Sequence, residues 1–192
     1  TIIKCAHKTA EPGLIYWDRQ HWYSTSSVYP GYENTSTNPC SEIAMQGGDS
    51  CRLIALNLYK FVENPFTPKA KFNMKKFYQA TYEGQRLMDD LVDLEVEAIE
   101  RILNKVDADD EPESIKMVEK ETWELLLKTG KEGRRTGLGF TALADMVAAL
   151  GYKYDSDDSI EFIENMMREK CRAEFDCSID MSLERGSFVG FN

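Results

Sequence analysis

The sequence predicts a mainly α-helical chain. Three observations carry this. Apolar residues recur at three-and-four spacing over long stretches after residue 73. Helix-capping and helix-breaking residues punctuate those stretches where they end. Runs able to form strands are few and short. The chain has 192 residues, the size of one domain or one domain and a piece. Two textures divide it. Residues 1–68 are rich in aromatics, Ser, Thr, Pro and Gly, whereas residues 69–192 are charged and helical.

In chain order, Ile2-Ile3 reads as a short strand and Pro12 to Arg19 as one or two helical turns. Arg52 to Val62 is an apolar run whose period fits either strand or helix. The longest helix is expected from Asn73, a good cap, to Val106. Its stripe is Phe77, Thr81, Leu87, Met88, Leu91, Leu94, Ile99, Ile102 and Val106. The Asp107–Pro112 stretch breaks it. Pro112 suits a first helical position, and Ile115, Val118, Thr122, Leu125 and Leu126 mark a second helix that ends at Gly130 and Gly133. A third is expected from Leu138 to Leu150, with Gly151 as its C-terminal cap. A fourth follows Asp155-Ser156 and runs to Glu184, with Ile163, Met167, Cys171, Phe175, Ile179 and Leu183 each four apart and Gly186 as its stop. The apolar ends, Ile2-Ile3 and Phe188 to Phe191, read as cuts within a longer protein.

Composition excludes several functions. Asp and Glu total 33 against 23 Lys and Arg, a net charge of −10. A nucleic-acid binder needs a basic face instead. No apolar run is long enough to span a bilayer, and no signal peptide begins the chain. Five cysteines without a Cys-x-x-Cys pair favour free thiols in the reducing cytoplasm.

The segment Asn38-Pro39-Cys40-Ser41-Glu42 sets an amide, a thiol and a carboxylate at alternate positions. In an extended loop these face one side, and Pro39 favours that shape by keeping Asn38 out of the helical region. One small ligand can then meet all three. The bland reading is a polar-rimmed loop with one buried cysteine. Elsewhere, Cys171 reads as core on its stripe, Cys177 has no assignment, and His21 reads as packing among Trp17, Trp22 and Tyr23. Cys5 and His7 lack two further ligands for zinc, so no metal site is expected. Arg134-Arg135 among Gly133, Gly137 and Gly139 reads either as a phosphate-binding helix start or as a packing turn.

Three segments together resemble the large chains of ribonucleotide reductases. They are NPCSEIAMQGGDSCRLIALNL at Asn38–Leu58, the preceding stretch Ala6 to Arg19, and Gly133-Arg134-Arg135-Thr136-Gly137-Leu138-Gly139 with Leu143-Ala144-Asp145-Met146. The resemblance implies a ten-stranded α/β barrel, with residues 1–68 as its radical-loop segment and residues 69–192 as a helical layer. It implies that Cys40 carries a thiyl radical that removes the ribose 3′ hydrogen. Glu42 would take the 3′-hydroxyl proton and Asn38 would orient the substrate. Cys51 would be one of two reducing cysteines, with its partner upstream of Thr1. The short Gly47-Gly48-Asp49-Ser50 spacer looks like the adenosylcobalamin-dependent branch. The implied partners are a ribonucleotide substrate, a thioredoxin-like or other dithiol reductant, and nucleotide effectors in the parent. Two rivals stand beside this reading. One is an iron-dependent reductase chain fed by a partner subunit. The other is a non-enzymatic acidic helical domain, in which Asn38, Cys40 and Glu42 diverge or face solvent.

Overall fold

The structure is a computed structural model that describes residues 1–50 and 52–191. Two helices open the chain, α1 (Ile2–Thr9) and α2 (Trp17–Trp22), neither with a buried residue. Ile2-Ile3 therefore begins a helix rather than a strand. Among the described residues no strand pairs with it, and local bonds such as Cys5 N–H to Thr1 O at 3.0 Å satisfy the backbone instead. Of the Pro12–Arg19 stretch, only the part from Trp17 onward is helical.

Next comes a small antiparallel hairpin, β1 (Ser36–Thr37) and β2 (Ala44–Met45), in register Ser36 to Met45 and Thr37 to Ala44. The ambiguous run then resolves into β3 (Leu53–Asn57) and a 3-10 turn over Leu58–Phe61. A second antiparallel pair, β4 (Val62–Glu63) with β5 (Lys71–Phe72), leads into the long helix α3 (Met74–Ala108). Asn73 caps α3 as expected, its side chain accepting from Lys76 N–H at 2.9 Å.

Helix α4 (Glu113–Gly133) folds back antiparallel on α3. The ion pairs Lys120–Asp107, Lys131–Glu100 and Arg134–Asp93 record the opposed directions. Pro112 is its N-cap, and Arg134 ends it in the left-handed region at φ 42°.

The third expected helix is shorter than predicted. Gly137–Thr141 forms strand β6, which pairs in parallel with β3, and helix α5 (Leu143–Ala149) starts only after Ala142 turns at φ 62°. Glycine explains the difference. Gly137 and Gly139 are poor helix residues, yet they let two backbones close up. A Cβ on Gly137 would meet Leu53 Cδ2 at 2.9 Å, Arg52 O at 3.0 Å and Ile43 Cδ1 at 3.1 Å.

Helix α6 (Asp157–Arg185) opens with a capping box between Ser156 and Ser159 and ends at Gly186. It runs parallel to α3 through the pairs Tyr78–Asp176, Tyr82–Asp180 and Arg86–Glu184. Its buried face is not the expected stripe. Ser159, Met166, Lys170, Ala173, Cys177 and Met181 face inward, while Cys171, Phe175, Ile179 and Leu183 are exposed. Cys177, not Cys171, is the core thiol. Burial pushes its pKa up. On α4 too, Ile115, Val118 and Leu125 of the expected stripe are exposed.

The main hydrophobic cluster joins Leu58, Phe61, Phe77, Met146, Val147 and Met166. It welds the start of α3 to α5 and to the first turns of α6. Phe61, Phe72 and Phe77 pack edge-on or tilted around it, with centroids 5.3–5.9 Å apart. Among the described residues the strands form three separate two-stranded sheets, and no closed barrel is present.

Candidate functional site

The Asn-x-Cys-x-Glu segment lies at the tip of the β1–β2 hairpin. The tip is a tight turn, not an extended loop. Ser41 N–H donates to Asn38 O at 3.0 Å, and Ser41 takes φ 67°. Asn38 closes the turn from both of its ends. Its backbone N–H donates to Ile43 O at 3.1 Å, and its side-chain Oδ1 accepts from Ile43 N–H at 3.0 Å. Asparagine side chains commonly hold a turn in this way. The extended shape inferred from Pro39 yields because two antiparallel strands only six residues apart must be joined. Asn38 is buried, whereas Cys40 and Glu42 are exposed, and Cys40 is a thiol outside any disulfide. Cys51 lies outside the described residues.

Below the tip, a network of charges holds the hairpin against the rest of the chain. Arg135 Nη1 donates to Ala44 O at 2.6 Å and to Asn34 Oδ1 at 3.1 Å. Its Nε lies 2.6 Å from Asp49 Oδ2. Arg52 donates to the Arg135 carbonyl at 2.9 Å and pairs with Glu95 of α3. The Asp49 and Arg52 side chains are 1% and 6% exposed, so these charges are balanced inside the protein rather than by water. Thr129 of α4 donates to Gly47 O at 3.5 Å. Gly48, at φ 75°, fits beneath Leu125, whose Cγ would lie 2.8 Å from a Cβ there.

Arg134 and Arg135 are thus both engaged by carboxylates. Arg134 holds Asp89 and Asp93, each at 2.8 Å. The two arginines act as struts of a packing turn, and a phosphate would have to displace a carboxylate to reach either. Of the two readings of this pair, phosphate-binding helix start or packing turn, the contacts are those of the packing turn. The sequence shows Asp49 only as part of a spacer and gives no sign of the roles of Arg52 and Glu95. The one available signal was a lone acidic residue inside Gly47-Gly48-Asp49-Ser50, set between glycines and a following Arg52.

Among the described residues no three His, Cys, Asp or Glu side chains group to hold a metal. One surface cleft is lined by Tyr78, Tyr82, Asp176 and Asp180 and another by Ile115, Val118 and Trp123. Neither shares a residue with the Asn38–Ile43 turn. No helix among the described residues is long and apolar enough to cross a membrane.

Exposure of Cys40 and Glu42 alone would also suit a non-enzymatic surface, so the family decides. The model of the ribonucleotide reductase barrel domain matches residues 1–192. The chain belongs to this family. It is similar to a vitamin B12-dependent ribonucleoside-diphosphate reductase of Mycobacterium tuberculosis (strain CDC 1551 / Oshkosh), with 25% identity over 191 residues. That match covers 99% of this chain and 23% of the relative. A reductase of the same name from Thermoplasma acidophilum is 28% identical over 187 residues, covering 97% of this chain and 20% of its own length. A vitamin B12-dependent ribonucleotide reductase of Streptomyces avermitilis is 27% identical over 157 residues, 81% of this chain and 14% of its own length. The chain therefore spans less than a quarter of the length of these relatives.

Proposed function

We propose that this chain is the radical-loop segment, with its helical layer, of a cytoplasmic vitamin B12-dependent ribonucleotide reductase. The parent enzyme would convert ribonucleotides, as diphosphates, to 2′-deoxyribonucleotides. The observation that supports this best is the Asn-x-Cys-x-Glu turn in a chain matched end to end by the barrel-domain family. The parallel pairing of β3, from residues 1–68, with β6, from residues 69–192, supports reading the two as parts of one catalytic domain.

In this reading Cys40 sulfur, as a thiyl radical, takes the hydrogen from the ribose 3′ carbon and returns it at the end. Sulfur suits the task because S–H and activated C–H bonds are similar in strength, so the transfer runs both ways. Glu42 accepts the 3′-hydroxyl proton as the substrate radical forms. Asn38 orients the substrate without changing protonation. Its Oδ1 accepts from Ile43 N–H, which fixes the plane of the amide within the turn. Cys51 and a second cysteine of the parent supply two electrons and two protons, ending as a disulfide while the 2′-hydroxyl leaves as water. A thioredoxin-like dithiol then restores them. In the parent the exposed tip would be covered, since a radical site must exclude water.

The relatives' names and the short Cys40–Cys51 spacing support adenosylcobalamin as the radical source. A corrin brings its cobalt already chelated, so its site needs a cradle for the ring rather than a cluster of metal-ligating side chains. The cleft lined by Tyr78 and Asp180 and the one lined by Ile115 and Trp123 lie away from the turn. The cofactor would be held by other parts of the parent.

The test is turnover of the full-length enzyme with adenosylcobalamin and excess dithiol. Cys40→Ser should abolish reduction, because an alcohol O–H bond is too strong to carry the radical. Glu42→Gln, which keeps the shape but loses the base, should lower kcat by about 10²–10⁴-fold. Near-normal turnover in Cys40→Ser would refute the assignment.

A further inference from the structure

We propose that Arg135 is a positioning residue for the Cys40 turn, locking the base of the hairpin while Asp49 locks Arg135. This rests on the reading of Cys40 as the radical carrier. Within the turn, Asn38 bonds Ser41 and Ile43. The base of the hairpin is tied to the rest of the molecule by side chains from distant segments. There a single guanidinium ties three segments together. It grips Asn34, just before β1, at 3.1 Å, and the Ala44 carbonyl of β2 at 2.6 Å. Its Nε also forms an ion pair with Asp49 Oδ2, 2.6 Å away in the loop after β2.

Ala44 stands opposite Thr37, the neighbour of Asn38, and two positions after Glu42. Asn34 is buried and held in turn by Ser26 at 3.2 Å and by Ser27 at 3.2 Å. On the other side, Arg52 holds the Arg135 backbone at 2.9 Å and is pinned by Glu95 on α3. The chain of contacts thus runs from the longest helix, through Arg52 and Arg135, to strand β2, which begins two residues after Glu42.

An arginine is required because its planar fork reaches several acceptors in fixed directions, while a lysine ammonium is a single point donor. Hydrogen transfer tolerates little misplacement: about 1 Å can cost about 10²-fold in rate. The role predicted for Arg135 is therefore on kcat, not on substrate binding.

The experiment compares Arg135→Lys, Arg135→Ala and Cys40→Ser in the full-length reductase, reading kcat, KM and thermal midpoint. Arg135→Lys keeps the buried charge opposite Asp49 and should melt within a few degrees of the parent. Its kcat should fall by about tenfold or more, with KM changed less than about twofold. Arg135→Ala should fall further, and if it does not fold, Arg135→Lys alone decides. A folded Arg135→Lys enzyme at parental kcat overturns the inference. So does a loss confined to KM, or an Arg135→Lys chain that cannot fold, since either makes the arginine a general structural requirement. Cys40→Ser separates the two claims. If it still turns over, the radical-loop reading fails. If it is dead while Arg135→Lys is fully active, only the role of Arg135 fails.

Discussion

Asp89 shows how this acidic chain keeps a carboxylate inside. Its side chain is 11% exposed. Burial alone would push its pKa up, but the hydrogen bond and charge of Arg134 and the charge and hydrogen bond of Arg185 outweigh it, and the net direction is down. Arg134 reaches it from the end of α4 at 2.8 Å, and Arg185 closes from the last turn of α6. One carboxylate therefore joins three helices. A folded pKa below the unfolded one gives stability that is present above the ordinary aspartate range. It is lost as pH falls through the folded value. Acid titration of the thermal midpoint should show this loss below about pH 4. In Asp89→Asn that part of the acid sensitivity should vanish, and at neutral pH the variant should be less stable by about 2 kcal/mol. An unchanged acid profile in Asp89→Asn would assign the sensitivity to other carboxylates.

Between α3 and α6 the contact is a ladder of polar rungs, one turn apart. Tyr82 donates to Asp180 at 2.8 Å, Tyr78 donates to Asp176, and Arg86 grips Glu184 with two bonds at 2.7 and 3.1 Å. The hydrogen bond to Asp180, with burial and the Asp180 charge, pushes the Tyr82 pKa up to about 12. A raised pKa keeps this rung intact below about pH 10 and loses it as pH climbs toward the folded value. Phenolate absorbance, with Tyr82→Phe as the blank, should place the Tyr82 midpoint near 12, and Asp180→Asn should bring it back toward 10. An unshifted midpoint in Asp180→Asn would remove that rung. None of this ladder was legible in the sequence, because its partners lie 98 residues apart. The extent of α3 and its Asn73 cap were legible, being local. The stripe on α6 misled for a geometric reason. Residues strictly four apart drift about 40° per step on a helix of 3.6 residues per turn, so Ile163 and Leu183 cannot share a face. The true buried set, Met166, Lys170, Ala173, Cys177 and Met181, mixes steps of three and four. At the hairpin the residue types of Asn38, Cys40 and Glu42 were legible. The Arg135–Asp49 clamp was not, since it joins residues 86 apart in the chain.

At the scale of the whole molecule, the apolar surface is out of proportion to the core. Phe175 is 68% exposed and Leu183 is 82% exposed on the outer face of α6. Ile115, Val118 and Leu125 are likewise exposed on α4. Contiguous apolar faces of this kind mark contacts with further protein, and the curated relatives are more than four times as long as this chain. In the proposed parent, the face of α6 would pack against other parts of the barrel domain. This gives one pair of substitutions opposite signs in two settings. In the 192-residue chain alone, Phe175→Ser with Leu183→Ser removes exposed apolar area and should reduce dye binding and concentration-dependent association. In the full-length enzyme the same pair would strip buried contacts and leave hydroxyls in their place. The midpoint should then fall by several degrees, with a cost of about 3 kcal/mol or more for the phenylalanine. Light scattering of the chain and thermal unfolding of the parent read the two arms. If the parent is indifferent to the double substitution, α6 faces solvent there too, and the helical layer lies on the outside of the enzyme.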